Sequence, residues 1–183
     1  MRPPARARDF DDCMTLAREL LGGHEAGGDL WEASDAVNAA IRLRPGNPDA
    51  WLLKCQIMSA LEDDPAALAS AEMALRRAPR RAEAHYFRAS VLADMERLPE
   101  ALRSIDRAFR NLGPSGSDDW LLEDLYYEKA ALQSALGRED EAVATFEQGL
   151  GRCPESQILK LGLAPLHKQR ARQRLTVLDG GKR

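Results

Sequence analysis

The chain has 183 residues, of which 44% are hydrophobic, 5% aromatic and 30% charged, with a formal net charge of −3. That length makes one ordinary domain or one short repeat array with a continuous core, and the abundance of alanine, leucine and arginine argues against a sandwich or barrel. Cys13, Cys55 and Cys153 are an odd number, far apart, which leaves no disulfide framework or metal motif and fits reduced thiols.

In chain order, residues 1–8 read as a flexible basic arm with no apolar run behind it. Neither a signal peptide nor a membrane span is expected, so the chain is placed in the cytoplasm. A first helix is expected from Asp9 through Met14, Ala17, Leu20 and Leu21, ended by Gly22-Gly23. Gly27-Gly28-Asp29 then turns the chain into a second helix, Leu30 to Leu43, stopped by Arg44-Pro45-Gly46.

The next stretch organises the rest. PDAWLLKCQIMSALEDDPAALASAEMALRRAPRR, starting at Pro48, aligns without a gap on AEAHYFRASVLADMERLPEALRSIDRAFRNLG, which ends at Gly113. At an offset of 34 residues Trp51 falls on His85, Cys55 on Ala89, Ala67 on Ala101, Ala74 on Ala108 and Pro79 on Gly113. One period earlier Ala33, Val37 and Ala40 stand for Ala67, Ala71 and Ala74. A fixed period of this size, each unit reading as two short helices, marks a helical repeat array. Asn47-Pro48 and Asp64-Pro65 supply a capping side chain before a proline, whereas Leu98-Pro99 has no good cap. Pro45, Pro79 and Pro154 end helices because proline cannot continue the hydrogen-bond ladder.

After Arg110 the register breaks. NLGPSGSDD, residues 111–119, reads as a loop with Ser117 as a cap, and Ala142 and Pro154 return at an offset of 41 residues from Ala101 and Gly113. A seven-residue insertion explains the shift and predicts a following helix about two turns longer at its start. The repeats are thus expected at 14–47, 48–81, 82–112 and 123–154, with the insertion at 113–119, all within a solenoid over 9–154. A helix over 155–175, from Ser156 to about Arg174, should cap the fourth repeat with Pro165 kinking or splitting it. Residues 176–183 are expected to fray.

Small residues (Cys55, Ala89 and Ala130 on first helices; Ala67, Ala101 and Ala142 on second helices) recur where helices must approach. Larger groups such as Trp51, Tyr126, Ile105 and Phe146 fill between them. This pattern resembles the tetratricopeptide repeat family over residues 14–154, departing from it in the weak first helix, at Gly113, at Gly149 and at the insertion. The resemblance implies an all-α, right-handed superhelical array of antiparallel helix pairs, about four repeats plus a C-terminal capping helix. It also implies a concave groove, lined by first helices, that holds an extended peptide or a helix of a partner protein.

In such an array the second position of each repeat, here Asp49, Glu83 and Asp124, faces the groove. So do the fifth, Leu52, Tyr86 and Tyr127, and the ninth, Gln56, Ser90 and Ala131. Repeat one adds Arg18, and Trp120 lies two turns before Tyr127 on the same face. An apolar, aromatic floor edged by acids that include Asp94 is expected, in place of the basic clamp by which chaperone-binding members hold a terminal carboxylate. The expected partner is therefore a protein segment carrying basic and apolar side chains. Lys54, Arg88 and Lys129, all at the seventh position, are expected along helix seams.

Other functions have less support. His24, His85 and His167 are isolated, and no nucleophile motif or phosphate-cradling loop appears, so no enzymatic activity, metal, cofactor or small-molecule substrate is expected. The run HKQRARQR at 167–174 offers the alternative of binding nucleic acid or an acidic surface, or of self-association into a homo-oligomer. A capping helix with a solvated face is preferred over nucleic-acid binding, because no aromatics interleave with the charges.

Overall fold

Short polar side chains open the first four helices. Asp9 accepts the N–H of Asp12, Asp29 those of Trp31 and Glu32, Asn47 those of Asp49 and Ala50, and Asp63 that of Ala66. Each bond satisfies a backbone donor that the first helical turn leaves open. The cap before Pro65 is therefore Asp63, with Asp64 already inside the helix. Arg97 opens its helix with no side-chain cap bond, as Leu98-Pro99 suggested.

The computed structural model describes residues 9–24, 28–113 and 119–180, the side chains of 119 and 169–180 excepted. Among them the elements are α1 Phe10–Gly22, α2 Leu30–Leu43, α3 Pro48–Ala60, α4 Asp64–Arg77, α5 Ala82–Asp94, α6 Leu98–Asn111, α7 Asp119–Ala135, α8 Glu139–Arg152 and α9 Gln157–Gly180. The described residues contain no strand, and no helix among them is long and apolar enough to cross a membrane. The expected basic arm at 1–8 and the Ser117 cap lie outside the described residues.

Three turns between consecutive helices share one device. Glu62, Glu96 and Gly137 have φ of 59°, 58° and 74°, and they occupy the same place in successive repeats. Each donates its N–H to a carbonyl three residues back: Ser59, Ala93 and Ser134. The N–H of the next residue, Asp63 or Arg138, reaches Met58 or Gln133. A left-handed residue closing the helix ends it tightly, and at Glu62 and Gly137 it lets the chain reverse within three residues. Glycine takes this conformation without strain; the two glutamates do not.

The chain divides into two compact units between Glu96 and Arg97. In the first, α1 to α5 enclose a core of Cys13, Met14 and Ala17, Ala33, Val37 and Ala40, Ile57 and Met58, and Ala67 and Ala71. Ala17, Ala33, Val37, Ala40, Ile57, Ala67 and Ala71 are wholly buried, so the alanines set the helix spacing and the larger groups fill it. The aromatic position early in a repeat ties it to the turn before it. Trp51 Nε1 donates to the Pro45 carbonyl at 3.0 Å, and His85 Nε2 lies 3.0 Å from the Pro79 carbonyl.

In the second unit Ala130, Ala142, Val143 and Phe146 pack with Leu159, Leu163 and Leu166 of α9. The α9 helix thus covers the apolar face of α7 and α8. Gly149 explains one departure from the repeat pattern: a Cβ there would stand 2.9 Å from both Tyr126 and the Leu159 side chain. Two expectations are corrected here. The α7 helix starts at Asp119, one turn before the repeat position at 123 rather than two. The α9 helix is one element through Pro165, not split there; Ser156 caps it, its hydroxyl accepting the Leu159 N–H at 3.2 Å and donating to Glu123.

Candidate functional site

Within the first unit the expected groove residues have unequal fates. Arg18 stands exposed on α1. Asp49 and Glu83 do not stand as free acids at an edge. Arg81, just before α5, forms an ion pair with Asp49, and its Nε lies 3.4 Å from Glu83. Leu52 is not an open floor either. It is only 6% exposed and sits in a small core with Ala74 and Ala84. Its apolar surface goes to holding α4 and α5.

Gln56 and Ser90 do come together. With Ser59, Phe87 and Val91 they line a cavity of about 300 Å³ above the buried Cys55. Burial pushes the Cys55 thiol up to about 12, a backbone hydrogen bond with Ala71 offsetting part of the shift, so this sulfur stays a protonated core atom. Tyr86 is half-buried, its ring edge-on to Phe87 at 5.3 Å. Asp94 is exposed at the end of α5, yet desolvation and then the charge of Asp64 hold its carboxyl above the ordinary 3.8.

The second unit holds the larger opening, a trough of about 850 Å³ between α7 and α9. One wall carries Asp124, Tyr127 and Ala131, spaced so that one face of α7 presents all three. The other carries Ile158, Leu161 and Pro165 of α9, with Phe146 and Gly162 at the base. A Cβ at Gly162 would stand 2.6 Å from the Phe146 ring and 3.2 Å from Tyr127. Glycine is thus what lets α9 lie this close. The Tyr127 ring meets Phe146 edge-on at 6.0 Å and remains 37% exposed. Trp120, 48% exposed on the added turn of α7, is not among the trough's lining residues.

The trough combines an apolar interior with the carboxylates of Asp124 and Glu128, and no lysine or arginine is among its lining residues. Three expected positions converge there. The α9 wall was absent from the expectation because Ile158 and Leu161 lie beyond the last repeat. Their signal was present, however: Ile158, Leu161 and Pro165 recur at helical spacing beside the stripe Leu159, Leu163 and Leu166.

No family model and no curated protein matches the sequence. Solved structures do match in shape. PilW, a widely conserved type IV pilus biogenesis factor, aligns with a TM-score of 0.76 at 21% identity, over 87% of this chain and 69% of its own. TTC0263, a thermophilic TPR protein of Thermus thermophilus, gives 0.71 and 21%, over 87% and 81%. The TPR2B domain of yeast Sti1, in a complex with pHsp70, gives 0.59 and 20%, over 67% and 97%. At such identities the likeness speaks to the fold, which is that of tetratricopeptide repeats.

Proposed function

We propose that this tetratricopeptide-type fold serves as a non-catalytic scaffold or adaptor that holds a segment of a partner protein. The observation that carries this is the convergence of Asp124, Tyr127 and Ala131 with the apolar side of α9 in one open trough. Its chemistry suits a segment with apolar side chains flanked by lysine or arginine. Tyrosine supplies contact area at little entropic cost, and the acids favour approach of a basic partner. The complex of the Sti1 domain with pHsp70 supports a protein ligand on this fold.

Affinity capture from the source cell tests the proposal, wild type beside Tyr127→Ala and Tyr86→Ala, with folding checked by circular dichroism. The expected result is a partner retained by wild type and by Tyr86→Ala but weakened roughly 5- to 30-fold by Tyr127→Ala, as for a moderate hot spot. Equal retention by all three folded proteins overturns the trough as the site. Bound nucleic acid that washes off with salt would favour the basic run of α9 instead.

A further inference from the structure

We infer that the edge of the first unit where α2 and α4 end is a docking surface for an anionic lipid membrane. Leu43 enters the headgroup layer, and the arginines around it meet lipid phosphates.

Two successive turns build this edge. Arg44-Pro45-Gly46-Asn47 follows α2, and Ala78-Pro79-Arg80-Arg81 follows α4 one period later. They are tied together, because the Pro45 carbonyl accepts from Trp51 Nε1 at 3.0 Å and from Arg77 Nε at 3.1 Å. Arg42, Arg44, Arg76, Arg77 and Arg80 are all exposed along the edge. Leu43, between two of them, is 53% exposed.

Most of this charge is unopposed. Arg44 lies 4.0 Å from Asp11, and Arg81 pairs with Asp49 and Glu83. Arg42, Arg76, Arg77 and Arg80 form no ion pair among the described residues. The acids of this unit gather at the other end: Glu62, Asp63 and Asp64 at the start of α4, with Asp94 at the end of α5 close enough to feel the Asp64 charge. The length of α4 keeps the two ends about 20 Å apart, more than twice the roughly 8 Å over which physiological salt screens a charge. The basic edge therefore acts as a separate positive surface, although the chain carries a net charge of −3.

A helix C-terminus by itself favours a cation in its last turn, where Arg42, Arg76 and Arg77 stand. Arg80 lies beyond the helix, however, and an exposed leucine gains nothing from the dipole. Leu43 also decides among anions. Arginine pairs equally well with phosphate and carboxylate, but an apolar side chain among the arginines calls for an apolar layer just behind the charges. A bilayer offers that order, with phosphates outside and acyl chains beneath. The shape agrees. These residues stand at turns and helix ends, a protruding edge that can meet a plane, and they line neither the trough nor the cavity above Cys55.

Co-sedimentation of the full chain with vesicles tests the inference, phosphatidylcholine alone beside phosphatidylcholine mixed with phosphatidylglycerol. Wild type should bind only the anionic vesicles, and high salt should release it. The triple variant Arg42→Gln/Arg76→Gln/Arg80→Gln, whose altered side chains are exposed and whose helix content should be unchanged by circular dichroism, should partition about 100-fold more weakly, at about 5-fold per arginine. Leu43→Ser should weaken binding about 5-fold while keeping its salt dependence. Changing Lys168, Arg170, Arg172 and Arg174 of the basic run to glutamine should leave binding intact. Failure to bind anionic vesicles, equal binding to both kinds, or indifference to the triple variant or to Leu43→Ser overturns the inference. A loss confined to the variant of residues 168–174 does so too, by moving the contact to the basic run. Retention of a DNA oligonucleotide or of polyglutamate by these arginines, with vesicles ignored, would replace the membrane with that partner.

Discussion

Lys129 Nζ lies 2.8 Å from Asp106 Oδ1, joining α7 to α6. One repeat earlier Arg88 reaches Glu72 at 3.7 Å and joins α5 to α4 in the same way. The basic residue at the seventh position thus pairs with an acid on the preceding second helix, and Lys129 also lies 5.5 Å over the Phe109 ring. These side chains hold a seam and are not part of the trough.

Both members of the Asp106–Lys129 pair keep contact with water, so the bond should be modest. A double-mutant cycle with Asp106→Asn and Lys129→Met should give a coupling of about 0.5–1 kcal/mol in denaturant melts. Raising salt should shrink it. A coupling above about 2 kcal/mol would mean the pair is effectively desolvated.

The glutamates in left-handed turns are a reserve of stability. Glu62→Gly and Glu96→Gly should each stabilise the protein by about 0.5–1 kcal/mol, because relief of backbone strain exceeds the added freedom of the unfolded chain. Gly137→Ala, at the third equivalent turn, should destabilise by a similar amount. Thermal melts of the three variants side by side check the opposite signs.

Close approaches predict costs of another kind. A methyl group at Gly149 would press on Tyr126 and Leu159 at 2.9 Å, and one at Gly162 on the Phe146 ring at 2.6 Å. Gly149→Ala should cost about 1–3 kcal/mol in urea unfolding, as should Ala67→Leu or Ala142→Leu in the fully buried seams. Gly162→Ala should in addition shift Tyr127 and weaken whatever the trough binds.

Asp94 gives a pH dependence with a definite sign. Desolvation and then the Asp64 charge raise its carboxyl above 3.8 in the folded chain. The folded state therefore holds the proton more tightly than the unfolded one, and this residue's contribution to stability falls as pH rises from about 3.8 through the folded value. Above that window the penalty is complete. Asp94→Asn should be at least as stable as wild type at pH 7, with the advantage vanishing toward pH 4. An advantage that grows on acidification would contradict the assignment.

The repeat period and the helix pairs were legible because small residues and prolines recur at fixed intervals, and because caps such as Asn47 act over a few residues. Less legible was whatever depends on a neighbour distant in sequence. Asp49 and Glu83 look like free acids until Arg81 is placed between them. Leu52 looks like a groove floor until Ala74 and Ala84 close over it. Pro165 looks like a break, yet α9 continues through it because Leu163 and Leu166 anchor the helix on either side against the fourth pair. The site expectation stopped at Ala131, since the repeat template ends where α9 begins.

The bond from Trp51 to the Pro45 carbonyl also makes the molecule report on itself. Of the three tryptophans, Trp31 and Trp51 belong to the half that ends at Glu96, and Trp120 to the half that begins at Arg97. Trp51 is half-buried and hydrogen-bonded, whereas Trp31 is 73% exposed, so loss of the first half's packing should redden emission mainly through Trp51. Single-tryptophan versions retaining Trp51 or Trp120 would therefore show, by light alone, whether the two halves melt together or in turn.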